Sequence, residues 1–175
     1  MPTFAERASA LVETASDFAK ASQDWPALSR MLHQDIDPAR WVFITTVGGA
    51  FIAMQLLCLA GASDDEGQEV AQALYETLGA WDPDGRGAYS DCQRSFSASF
   101  DFLKDSPDYR AKQGFLIADG VGHWVVLNVL RRAPRDDEMV AARVVGIALF
   151  NAFSSYWGVD LGTIGTGPPY PYKPT

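Results

Sequence analysis

Histidine and cysteine are scarce in this chain, and basic residues are outnumbered. His33, His123, Cys58 and Cys92 are the whole supply in 175 residues. None of them falls in an HExxH, ExxH or CxxC spacing, so a zinc site or a di-iron carboxylate bundle lacks its ligand set. No metal and no other cofactor is expected. Lys and Arg number 14 against 22 Asp and Glu, for a formal net charge of −8. Affinity for a phosphate backbone comes from cations that neutralise it, so nucleic acid is excluded as a natural partner, and anionic membrane surfaces are disfavoured on the same ground.

Two motif fragments also fail. Asp82, Asp84 and Gly87 imitate the start of a calcium loop, but Arg86 stands at the fifth position and Gln93 at the twelfth, where oxygen ligands are required. Gly162, Gly165 and Gly167 are followed by Pro168 and Pro169 instead of a phosphate-binding helix. The opening MPTFAERASALVE has no basic region leading into an apolar core, which gives no sign of a secretory leader. Cys58, inside an apolar run, reads as a buried thiol, and Cys92 has no partner at redox spacing. A reducing, cytoplasmic setting is expected.

What the chain does have is a long uncharged run. Trp41 to Ala62 contains no charged side chain, and its one strongly polar group is the amide of Gln55. About 20 apolar residues can span a bilayer or form the buried central helix of a soluble bundle. The flanks carry Arg40 on one side and Asp64, Asp65 and Glu66 on the other, a weak topology signal. The later apolar stretches Phe115 to Leu130 and Val140 to Trp157 contain Asp119, His123 and Arg143. An Asp or Arg at mid-bilayer costs ~2.5–3.5 kcal/mol on insertion scales, which argues against a membrane protein. The small residues Thr45, Thr46, Gly48 and Gly49 suit close helix packing in a bundle.

Helix start signals recur along the chain. Thr3 with Glu6 and Ser63 with Glu66 have capping-box spacing, and Asp37–Pro38 matches N-cap and first-turn preferences. The periodicity predicts a first helix to about Ala21, a short one from Trp25 to His33, and the long apolar helix from Pro38 to about Gly61. A fourth carries Val70, Leu74 and Leu78 and stops at Gly79; Ala80 to Tyr89 then forms a loop, and Ser90 with Gln93 opens the next helix. Ser106 and Pro107 start the following element. Residues 115–131 fit a bent helix, with a β-hairpin turning at Asp119 to Gly122 as the alternative suggested by Val125, Val126 and Val129. The last helix runs from Asp136 to Trp157. The expected fold is an all-α, single-domain bundle of six or seven helices over residues 1–160, followed by an extended Pro/Tyr/Gly-rich tail at 161–175.

Catalytic candidates are few. On a helix, Asp119 and His123 lie one turn apart, so the carboxylate can orient the imidazole for acid–base work, with Ser154, Ser155, Tyr156 or Cys92 as nucleophile. The plainer alternative is a hydrogen-bonded histidine with no catalytic duty. Arg143 is suited either to clamp an anion or to pair with Asp119 or Asp160. Arg131, Arg132 and Arg135 precede Asp136, Asp137 and Glu138, as adjoining helix dipoles favour. The leading expectation is a small acidic, non-catalytic protein-interaction or regulatory module that pairs with another protein or with itself. One alternative is a bundle holding an apolar small molecule among Trp41, Phe51, Trp124 and Phe153, with Gln55, His123 or Arg143 fixing its orientation. Another is a small enzyme using Asp119 and His123.

Overall fold

The computed structural model describes residues 3–23, 26–59, 62–103 and 109–157. The sequence-predicted tail, the element start expected at Ser106 and Pro107, and Asp160 lie outside those residues. Among them the chain is all-α: α1 Phe4–Ser22, α2 Pro26–Leu32, α3 Pro38–Leu59, α4 Asp64–Trp81, α5 Gly85–Leu103, α6 Tyr109–Leu130 and α7 Met139–Trp157, with one 3-10 turn at Asp136–Glu138 ahead of α7.

The starts follow from capping chemistry. Thr3 accepts from the Glu6 amide at 3.2 Å, and the Glu6 carboxylate accepts from the Thr3 amide at 2.7 Å. Asp37 Oδ1 accepts from the Ala39 amide at 3.0 Å, and Ser63 Oγ from the Glu66 amide at 3.2 Å. The ends of α2 and α6 are set by His33 and Arg131, which take the left-handed φ values of 50° and 58° usually left to glycine.

α3 lies at the centre, packed against α1, α4, α5, α6 and α7. It is the one described helix long and apolar enough to cross a membrane, and 72% of its most apolar window is buried inside the bundle. Two adjacent glycines let it serve several neighbours. A methyl on Gly48 would meet Val125 Cγ2 of α6 at 2.7 Å, and one on Gly49 would meet Ala15 of α1 at 3.0 Å and Phe153 of α7 at 3.2 Å. Trp41 closes the junction with α1 by donating from Nε1 to the Ala19 carbonyl at 3.0 Å.

Several boundaries differ from the sequence reading. Gly79 does not stop α4, which continues to Trp81, where the indole stacks on Phe43 at 5.8 Å between ring centroids. The Arg86 side chain lies over Gly79 in the space a Cβ would take. Ala80 to Tyr89 is not a loop. Asp82 Oδ1 accepts from the Asp84 amide at 2.9 Å, and α5 opens at Gly85, five residues before the expected Ser90. Gly85 packs directly on the Leu78 carbonyl, which excludes any side chain there. The hairpin alternative at 115–131 is overturned by α6. Cys58 is exposed, since the last turn of α3 has already turned that face out of the bundle, whereas Cys92 is buried. Partial desolvation of the Cys58 sulfur, which lies against α4 near Gly67, and the nearby Asp64 raise its thiol pKa, and full burial raises that of Cys92 well above the ordinary thiol value.

Candidate functional site

Among the described residues, α6 and α7 share the most extensive helix–helix contact, and glycine lets their backbones meet. A methyl on Gly122 would run into the Ala142 carbonyl oxygen, and one on Gly146 into the Ala118 carbonyl oxygen. Backbone therefore lies against backbone. This contact brings Asp119 of α6 beside Arg143 of α7, where Arg143 Nε and Nη2 donate to the two carboxylate oxygens at 3.2 and 3.3 Å.

Around the pair lies an apolar surface. Val140 is 60% exposed, and Phe115, Met139 and Val144 are also exposed. Val140, Arg143, Val144 and the partly buried Ile147 follow the 3.6-residue period, so α7 presents a second stripe opposite the one it buries. A shallow depression of about 230 Å³ beside the ion pair is lined by Asp119, Met139, Val140, Ala142 and Arg143.

The candidate catalytic pair is not assembled. Both Asp119 oxygens go to Arg143, and His123, though one turn away and partly buried, has no hydrogen bond with a described residue. Ser154 Oγ donates to the Asn151 carbonyl at 3.1 Å, and Cys92 is a buried thiol; neither bonds to His123. The side chains of Ser155 and Tyr156 lie outside the described residues.

The proposed ligand-binding set is scattered. Phe153 is fully buried against Gly49, and Trp124 is buried with its Nε1 donating to Asp91 Oδ2 at 3.0 Å. Phe51 packs edge-on against Tyr89 and Phe96, and Gln55 is half-buried on α3. Of Gln55, Trp124, Arg143 and Phe153, Arg143 lines the depression beside Asp119. Among the described residues, no group of three or more His, Cys, Asp or Glu is placed to hold a metal ion.

One charged group carries more structure than its sequence context suggests. Glu138 is fully buried and receives both Arg132 guanidinium nitrogens at 2.7 Å, the Arg135 amide at 2.8 Å and Arg135 Nη2 at 3.1 Å. These donors, Arg132 first, hold its carboxyl well below the usual carboxylate range. His33 Nε2 lies 3.1 Å from Asp137 on the same connection. The basic cluster is thus largely consumed in joining α6 to α7, with the Glu138 carboxylate reaching back to the Arg135 amide three residues earlier.

No family model, curated protein or solved structure matches this chain. Function has to be argued from its own surfaces.

Proposed function

We propose that the protein is a non-catalytic interaction module that self-associates through the α6–α7 face. One observation carries this reading: the exposed apolar residues Phe115, Met139, Val140 and Val144 surround a charge-balanced pair on a chain of net charge −8. Two copies of an acidic protein repel each other over most of their surface, and a locally neutral apolar face is where that repulsion is smallest. Asp119 and Arg143 also make the face self-complementary. Each copy supplies one carboxylate and one guanidinium, so a two-fold arrangement exchanges the pairs between copies. Arg143 is 69% exposed, and an ion pair that open to solvent is worth about 0–1 kcal/mol, so re-pairing across an interface loses little.

The dimensions suit a dimer. Two adjacent helices of 22 and 19 residues outline a face roughly 30 Å by 20 Å. That approaches the ~800 Å² per partner of a standard interface. A cytoplasmic protein with its apolar α3 inside the bundle accords with this reading. The apolar-ligand alternative has less support, because Phe153 and Trp124 are already packed against protein.

The test is sedimentation equilibrium of the full chain and of Val144→Glu. The wild type is expected at twice 19.1 kDa in the micromolar range, and the variant at 19.1 kDa with unchanged helical circular dichroism. A wild type still monomeric at roughly 100 micromolar, a concentration that would populate even a weak interface, overturns the proposal. So does a Val144→Glu variant that still dimerises.

A further inference from the structure

A second surface shares no residue with the α6–α7 face. Trp81, in the last turn of α4, stays 37% exposed, and its ring stacks on Phe43 of α3 with 7° between the planes. The indole lines two depressions at once. One, of about 450 Å³, lies between α1 and α4 from Ser9 to Lys20; the other, of about 350 Å³, lies over Pro38, Val42 and Phe43 at the start of α3. Stacking on Phe43 holds the indole in place, so the two depressions share a stiff aromatic wall. Grooves lined by exposed aromatic rings are where proline-rich segments dock, because a polyproline II strand arrives already ordered and presents rings for them to pack against.

The chain carries such a segment itself. Residues 158–175 follow α7, and 167–174 read GPPYPYKP. The three-residue repeat of polyproline II sets Pro168 and Pro171 about 9 Å apart on one side, and Pro169 and Tyr172 equally far apart on the next. That spacing suits a wall with a depression on either side. Lys173 is the one cation in 158–175, and Asp82, which lines the second depression, has no ion pair with a described residue.

The segment is also within reach. A methyl on Gly49 would touch both Ala15 of α1 and Phe153 of α7, so those two helices flank one point of α3. α3 and α7 both run antiparallel to α6, with Arg40 and Gly48 meeting Asn128 and Val125, and Gly146 meeting Ala118. α7 therefore ends about 6 Å beyond that point, four residues past Phe153, while Phe43 lies about 9 Å before it. α1 also packs against α4, which puts Trp81 within two helix spacings of α7, roughly 20 Å. The direct path is about 25 Å, and the ten residues from 158 to 167 extend to about 33 Å. We infer that residues 168–172 of the chain's own tail dock along Trp81 in the α1–α4 groove.

Hydroxyl-radical footprinting of the full chain tests this, comparing the wild type with Tyr170→Asp/Tyr172→Asp. Both changes lie outside the described helices, so helical circular dichroism is expected to match. Trp81 is expected to oxidise several-fold faster in the variant, while Tyr75, in the groove between α4 and α5, keeps its rate. A tether holds the tail at a local concentration of roughly millimolar order, so protection of Trp81 in the wild type is expected to survive about hundredfold dilution. Three results overturn the inference. Equal Trp81 rates in the two proteins show that the tail does not cover the indole; equal rises at Trp81 and Tyr75 mark general loosening of the bundle; and protection that vanishes on dilution assigns the groove to the tail of another copy.

Discussion

Replacing Gly146 with alanine puts the α6–α7 contact to a direct test, because two effects of opposite sign compete there. Alanine is favoured over glycine by about 1 kcal/mol in a helix interior, so on propensity alone the variant is more stable. Against this, the new methyl would overlap the Ala118 carbonyl oxygen, with the Ala118 carbonyl carbon at 2.6 Å and Gly122 Cα at 3.3 Å. Backbone atoms have no rotamer by which to escape. The helices must separate by about 1 Å, and gaps of that size forfeit a quarter to a half of each dispersion contact along the seam. Overpacking costs of 1–3 kcal/mol are typical, and the rigid neighbour places this site near the top of that range. The net expectation is destabilisation by about 2 kcal/mol. With a urea slope of about 2 kcal/mol/M, the unfolding midpoint falls by about 1 M at unchanged slope. Gly87→Ala is the internal control. Gly87 has open space where the methyl would go, so only the propensity gain operates and the midpoint rises. A Gly146→Ala variant whose midpoint rises like that of Gly87→Ala would refute the close backbone contact.

Two further outcomes are expected. Because the folded Glu138 carboxyl titrates below its ordinary value of 4.5, its stabilising contribution is complete above that pH and is lost as pH falls towards the folded value. Thermal melts of the wild type should therefore drop more steeply below about pH 4.5 than those of Glu138→Gln; parallel curves would show that the Arg132 contacts do not hold the carboxylate. For the cysteines, iodoacetamide should label the exposed Cys58 in the native protein, with a rate still climbing past pH 9, and reach Cys92 only in denaturant. Labelling of Cys92 at a similar native rate would contradict its burial.

The sequence made local chemistry legible and tertiary chemistry much less so. Thr3, Asp37 and Ser63 announce helix starts because each acts on amides within three residues of itself. Gly79 and Gly85 resemble punctuation, yet each lies against a neighbour met only after folding, the movable Arg86 side chain and the fixed Leu78 carbonyl, and the second of these excludes a side chain. A glycine that makes room and one that makes a turn look alike in a sequence. Val125 suggested a strand, but its branched side chain sits against Gly48, a contact between positions 77 residues apart (125 − 48). Cys58 was misplaced because an uncharged run does not reveal which face of its final turn leaves the bundle. The candidate site follows the same pattern. Arg143 pairing with Asp119 was one of two partners open to it, whereas the exposed stripe of Val140 and Val144 was indistinguishable from core until α6 claimed the other face.

The glycine seam between α6 and α7 also bears on how the chain reaches its structure. Its contacts join Ala118 to Gly146 and Gly122 to Ala142, partners close in sequence, while the Arg132–Glu138 clasp tightens the connection between the helices. Closing so short a loop sacrifices little chain entropy, and local contacts favour early formation. α1 instead reaches α3 only across the intervening α2, and α4 from farther still along the chain. The α6–α7 hairpin is thus the natural nucleus of folding, with α3 docking onto it through Gly48 and Gly49. Pulse-labelled hydrogen exchange should record protection at Val121 and Val145 before protection at Leu11 and Ala15.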